Sequence, residues 1–136
     1  MNRRKILFVD DDAAIRNAMG KVFNRGGYNV ILAENAEQAL EIIKHENINV
    51  MFLDLNLPGM NGVDLCRYIQ KEKPDAIIYA VTGYFSLYEI SECIDAGFKD
   101  YFEKPADLKL LIKAADDAFQ KLEIEAQTGA PKFYDI

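Results

Sequence analysis

The sequence has one histidine, His45, set between Lys44 and Glu46. A lone imidazole in a polar stretch is a solvated helix-end residue, which excludes a multi-histidine zinc centre and Ser-His catalysis. Cysteine is equally scarce. Cys66 and Cys93 stand 27 positions apart with no CxxC partner and no neighbouring histidine, so they read as two reduced, partly buried thiols in a cytosolic protein. Positive charge is in deficit, with 16 Lys and Arg against 22 Asp and Glu and a formal charge of -6. A duplex-binding surface needs a basic excess or stripe, so direct binding of nucleic acid is not expected. The one basic cluster, Arg3-Arg4-Lys5, leads into an apolar run and reads as a solubilising strand flank. Long apolar runs are missing too. Ile6 to Val9 stops at three aspartates, too short for a signal core, and no other stretch approaches a membrane span. Membrane attachment is therefore not expected, and a cytoplasmic location is. No internal repeat or low-complexity tract is present.

What remains is ordinary globular composition, 50% hydrophobic and 28% charged, in 136 residues. That is enough for one domain and too little for a second core. Four short runs are apolar without alternation: Ile6 to Val9, Val30 to Leu32, Val50 to Leu53 and Ile77 to Val81. Continuous hydrophobicity of that length marks strands covered on both faces. Tyr101-Phe102 is a weaker fifth candidate. Between the runs the period changes to helical. Ile15, Ala18, Met19, Val22 and Phe23 share one face before Gly26-Gly27, and Ala36, Ala39, Leu40 and Ile43 share another behind an Asn35-Gln38 capping box. Leu65 and Ile69 mark a third helix closed by Pro74. Ser86 and Glu89 cap a fourth that ends at Gly97, and Leu108 to Leu122 is the fifth and longest. Strand and helix alternating five times is the pattern of a doubly wound α/β fold, a parallel sheet flanked by helices on both faces. The stretch 123–136 loses periodicity and reads as a frayed helix extension and tail, with no output domain.

In such sheets ligands bind at the carboxyl ends of the strands, where strand order reverses. The first strand ends in Asp10-Asp11-Asp12, the third in Asp54 and the fourth in Thr82-Gly83, and the fifth is followed by Lys104-Pro105. Carboxylates gathered at one sheet edge repel one another unless a cation neutralises them. Oxygen ligands without His or Cys suit a hard ion such as Mg²⁺. A carboxylate beside that ion can attack phosphorus, and a Lys and a hydroxyl can then compensate charge on the transferred group. Each element also has an ordinary reading: Asp10 to Asp12 as helix caps, Thr82 as another cap, Lys104 as a solvated end. Coincidence accounts for any one of them but not for all at successive strand ends.

The chain resembles the receiver domain of two-component response regulators over roughly residues 4–122. The resemblance rests on Ile6-Leu7-Phe8-Val9-Asp10-Asp11, Asp54-Leu55-Asn56-Leu57-Pro58-Gly59-Met60-Asn61-Gly62, Val81-Thr82-Gly83 and Asp100-Tyr101-Phe102-Glu103-Lys104-Pro105, in that order. It implies a five-stranded flavodoxin-like sheet in the order 2-1-3-4-5. Asp54 would be the phosphoacceptor, with Mg²⁺ held by Asp10, Asp11, Asp54 and the backbone carbonyl of Asn56. Thr82 and Lys104 would contact phosphoryl oxygens, and Lys104-Pro105 would be cis. Asp12 is assigned to helix capping. Tyr101 stands where the family has its switch aromatic, and a switch surface on the fourth helix, fifth strand and fifth helix would include Tyr88, Ser91, Glu92, Lys99 and Lys109. Tyr84 and Asn56 would flank the phosphate and set its lifetime, with Tyr84 acting more on dephosphorylation than on phosphorylation.

The implied function is a signalling module that takes a phosphoryl group from a sensor histidine kinase or histidine phosphotransfer protein. It would then bind a downstream protein or pass the phosphate on in a relay. It would be no metabolic enzyme, catalysing only its own transfer and autodephosphorylation, and would be a monomer or a weak dimer. Three alternatives compete. A haloacid-dehalogenase-type phosphatase needs a second Asp two residues after the nucleophile, where Asn56 stands. A flavodoxin needs a phosphate loop after the first strand, where three aspartates would repel it. A receiver-shaped docking domain that works without phosphorylation would have Asp54, an acidic-pair member or Lys104 replaced, and all are present.

Overall fold

The computed structural model describes residues 4–83 and 86–128, apart from the side chain of Tyr88. Strands and helices alternate as β1 (Lys5–Val9), α1 (Ala13–Arg25), β2 (Asn29–Ala33), α2 (Ala36–His45), β3 (Val50–Asp54), α3 (Gly62–Glu72), β4 (Ile77–Thr82), α4 (Leu87–Ala96), β5 (Asp100–Glu103) and α5 (Leu108–Thr128). The five strands form one parallel sheet in the order β2-β1-β3-β4-β5. Lys104-Pro105 is cis.

The unbroken apolar runs have a direct structural cause. Successive side chains on a strand point to opposite faces, and here both faces are covered. On β1, Ile6 and Phe8 join one core and Leu7 and Val9 the other. The first core is closed by α1 and α5 through Met19, Phe23, Leu111, Ala115 and Phe119. The second lies under α2, α3 and α4 through Ala39, Leu65, Ile69, Cys93 and Ala96. Aromatic rings dominate the first: Phe52 lies 5.3 Å from Phe23 and 5.0 Å from Tyr79, centroid to centroid.

The helix boundaries follow the side-chain chemistry of the sequence. Asp12 caps α1 by accepting from the Ala14 and Ile15 N–H groups, and Asn35, Asn61 and Ser86 cap α2, α3 and α4 in the same way. Each such cap satisfies donors the helix cannot, at about 1 kcal/mol apiece. Gln38 reaches back to the Glu34 N–H rather than that of Asn35, so the expected box closes one residue early. Gly97 ends α4 in the left-handed region, at φ 107°. The last helix runs six residues beyond Leu122 to Thr128. Glu123, within the stretch expected to fray, takes a two-point ion pair from Arg4 at 2.9 Å. Among the described residues no helix is long and apolar enough to cross a membrane.

Candidate functional site

Parallel strands bring all their carboxyl ends to one edge, and β1 and β3 are neighbours there although β2 separates them in sequence. Asp10, immediately after β1, is fully buried, and Asp54, the last residue of β3, is 5% exposed. Asp11 is exposed. One carboxylate oxygen from each of the three lies within 4.8 Å of the other two.

Hydrogen bonds fix the two buried carboxylates. Asp10 Oδ1 accepts from the Asp12 N–H at 2.9 Å, and Asp54 Oδ1 from the Asn56 N–H at 3.0 Å. Their other oxygens share one donor: Lys104 Nζ lies 2.7 Å from Asp10 Oδ2 and 3.0 Å from Asp54 Oδ2. Lys104 is carried there by the end of β5, where its N–H donates to the Thr82 carbonyl at 2.8 Å. The Lys104 ammonium supplies the counter-charge that two carboxylates this close call for. Burial alone would lower the Lys104 pKa, but the hydrogen bonds to Asp10 and Asp54 outweigh it and carry the value above the ordinary one.

A cavity of about 500 Å³ opens beside this cluster, lined by Asp11, Asp54, Leu55, Asn56, Thr82, Gly83, Glu89 and Lys104. Thr82 is 4% exposed. The sequence-predicted residues Asp10, Asp11, Asp54, Asn56, Thr82 and Lys104 thus meet at one place. The donor set suits Mg²⁺: three carboxylates, no nitrogen or sulfur, one of the three facing solvent where bound water can complete a hard ion's shell. Asp12 is spent on its cap, as its position predicted.

Tyr101 is 40% exposed. Ser91, Lys99 and Lys109 are exposed and Glu92 half-buried. Tyr84 and the side chain of Tyr88 lie outside the described residues. His45 is exposed at the end of α2, beside Glu41. Cys66 and Cys93 are buried more completely than the sequence suggests, at 0% and 2% exposure.

Two residues at the site escape sequence reasoning. Glu89, assigned only to a cap of α4, also lines the cavity as a further carboxylate. Arg16, on the polar face of α1, donates from Nη1 to the Asp10 carbonyl at 2.8 Å. The only sequence signal for either is its place one turn into a helix that starts at the site edge.

A cyclic di-GMP phosphodiesterase from Thermotoga maritima is 39% identical over 78% of this chain, which spans 28% of that protein. Sporulation initiation phosphotransferase F from Bacillus subtilis is 34% identical over 79% of this chain, and here the match covers 87% of the relative. Response regulators MprA of mycobacteria are 31 to 33% identical, and this chain spans about half their length. Among solved structures, a CheY-like receiver domain protein from Methanospirillum hungatei superposes with a TM-score of 0.87 at 31% identity, covering 91% of this chain and 99% of its own. The response regulator receiver domain family model matches residues 6–116. With the sheet order and the assembled acidic site, the match places the chain in the family of response regulator receiver domains of two-component systems.

Proposed function

We propose that the chain is the phosphorylation-controlled module of a two-component system, with Asp54 as phosphoacceptor. The observation that carries this reading is Lys104 Nζ bridging two buried carboxylates at 2.7 and 3.0 Å beside the cavity that holds Thr82. Asp54 Oδ1 is held in place by the Asn56 N–H, with its site open to solvent through the cavity. One of its oxygens attacks phosphorus, the phosphorus–nitrogen bond of a phosphohistidine breaks, and the imidazole leaves with the electron pair and takes a proton. The ammonium of Lys104 and the hydroxyl of Thr82 are placed to compensate charge on the transferred oxygens. Asp10, Asp11 and Asp54, with the Asn56 carbonyl, would hold Mg²⁺, which supplies charge neutralisation at the phosphoryl group.

Receiver domains typically take their phosphoryl group from a sensor kinase or phosphotransfer protein, and the same class of donor is proposed here. The protein would act in the cytoplasm. It would be an acceptor that catalyses its own modification and its own dephosphorylation rather than an enzyme turning over an external substrate. Loading of Asp54 would change the surface of α4, β5 and α5, on which Tyr101 already stands exposed, for a downstream protein or a further transfer.

The test is intact-protein mass after incubation with acetyl phosphate, with and without Mg²⁺, for wild type and Asp54→Ala. The expected result is one base-labile phosphoryl group that requires Mg²⁺ and is lost in the variant. A folded, Mg²⁺-binding wild type that gains nothing from either acetyl phosphate or a phosphorylated phosphotransfer protein would favour docking without phosphorylation.

A further inference from the structure

We propose that Arg16 is the positioning residue of the acidic pair, its guanidinium fixing the turn between β1 and α1 so that Asp11 meets a divalent cation already oriented. The proposal rests on the reading of Asp10, Asp11 and Asp54 as a Mg²⁺ site.

Among the described residues the turn is gripped at Asp10 rather than at Asp11. The Asp10 N–H donates to the Ala33 carbonyl at 3.0 Å, its carboxylate is held on both oxygens, and its carbonyl accepts from Arg16 Nη1 at 2.8 Å. The Asp10 carbonyl and the Asp11 N–H belong to one rigid peptide plane, so a bond to that carbonyl fixes the direction in which Asp11 leaves the strand. Among the described residues no hydrogen bond or ion pair reaches the Asp11 carboxylate, which is exposed. Its place beside Asp10 and Asp54 is therefore set by its backbone, and the side chain holding that backbone from outside the strand is Arg16.

Helix stability does not explain an arginine at this point. Arg16 stands in the first turn of α1, its N–H donating to the Asp12 carbonyl, where the helix dipole favours anions and disfavours cations. Its charge is offset from another direction: Nη2 lies 3.6 Å from Glu34 Oε2, just after β2, and only 18% of the arginine side chain is exposed. The guanidinium fork thus spans two strand ends, one arm on Asp10 and one toward Glu34. A lysine keeps the charge but not the fork.

The two effects of Arg16 on a bound cation have opposite signs. Its positive charge repels Mg²⁺, so deleting it for electrostatic reasons alone would tighten binding. Deleting a positioning contact loosens binding, and residues that orient metal ligands typically cost about tenfold or more in affinity when removed. Mg²⁺ titration by calorimetry on the full chain reads the sign directly, with circular dichroism to confirm folding. Expected are Mg²⁺ binding about tenfold weaker in Arg16→Ala, with Arg16→Lys between it and wild type. Arg4→Ala, which breaks a distant ion pair, serves as the structural control and binds like wild type. Equal or tighter binding in folded Arg16→Ala overturns the proposal, and if that variant does not fold, wild-type affinity in Arg16→Lys does so. Asp11→Asn tests the underlying reading separately. A wild type that binds no Mg²⁺, or an Asp11→Asn variant that binds it equally well, removes the site and the proposal together.

Discussion

A Cβ added at Gly62 would lie 2.2 Å from the carbonyl oxygen of Asp54 and 2.7 Å from the Leu55 Cα. Both neighbours are backbone, so neither can swing aside. The glycine lets the start of α3 lie directly on the end of β3, where its N–H donates to the Leu55 carbonyl at 3.0 Å. Gly62→Ala is expected to lower stability by about 2 kcal/mol, the cost of overpacking, and to slow phosphorylation of Asp54 by shifting its backbone. Chemical denaturation and acetyl phosphate labelling of the same preparation check both parts. Lys104 sets a second expectation. Lys104→Met keeps the length of the side chain and leaves Asp10 and Asp54 facing each other uncompensated, at an expected cost of about 3 kcal/mol near neutral pH. The deficit should shrink on addition of Mg²⁺, whose charge can stand in for the missing ammonium. In the wild type the folded pKa of Lys104 is raised, so its contribution persists through neutral pH and is lost only as pH climbs past that value in the alkaline range. Denaturation midpoints of both proteins at about pH 7.5, with and without Mg²⁺, would decide it; an unchanged deficit in the two conditions would sink the idea.

Between elements, the contact of α3 with α4 carries both thiols. Cys66 Sγ lies 3.6 Å from the Ala96 carbonyl at the last turn of α4. Burial, followed by the neighbouring Cys93, pushes the Cys66 thiol up to about 12; burial, followed by Glu89, pushes Cys93 up to about 11. Native thiols so protonated and enclosed should resist alkylation at about pH 8 and react only through unfolding, whereas both label at once in denaturant. The sign of the pH dependence follows. Unfolded thiols ionise near pH 8.5 while the folded ones hold their protons, so stability falls as pH rises from about 9 toward 11. A Cys66→Val, Cys93→Ala double variant should decline less steeply over that range, and an identical slope would argue against the assignment. The element scale is also where sequence reading reached its limit. β1, β3 and β4 were plain because each is covered on both faces. β5 showed only as Tyr101-Phe102, since an edge strand with three exposed residues out of four carries no continuous apolar run. The helix extension past Leu122 was expected to fray, yet it stays helical to Thr128, with Glu123 paired to Arg4 across 119 positions, a contact that no local pattern reveals. At the site, the ligand-type residues stood at strand ends and could be read. Arg16 and Glu89 lie one helical turn inward, and only the packing of their helices over the sheet edge brings them in.

Over the whole molecule, the sheet separates two unlike cores. The aromatic one beneath α1 and α5 is tied by hydroxyls: Tyr79 donates to the Ala114 carbonyl at 3.1 Å, and Tyr28 donates to Asp116 while stacking on Phe119. The other, beneath α2, α3 and α4, is mainly aliphatic, with Phe98 its one aromatic ring among the buried residues and small residues at the α3–α4 contact. α5 is therefore anchored through directed bonds as well as apolar contact, and α4 is tied to α3 by the Arg67–Asp95 ion pair at 3.0 Å and by the contact of Cys66 Sγ with the Ala96 carbonyl. The ion pair between Arg4 and Glu123, with the guanidinium also 5.5 Å from the Phe119 ring, has a further consequence. It puts the beginning of β1 and the far part of α5 side by side at the sheet edge opposite the acidic cluster. A short peptide bridge from the end of α5 back to Arg4 would span that gap, so the chain lends itself to circular permutation. New ends opened between α2 and β3 would emerge at that same far edge and leave the acidic cluster and its cavity untouched.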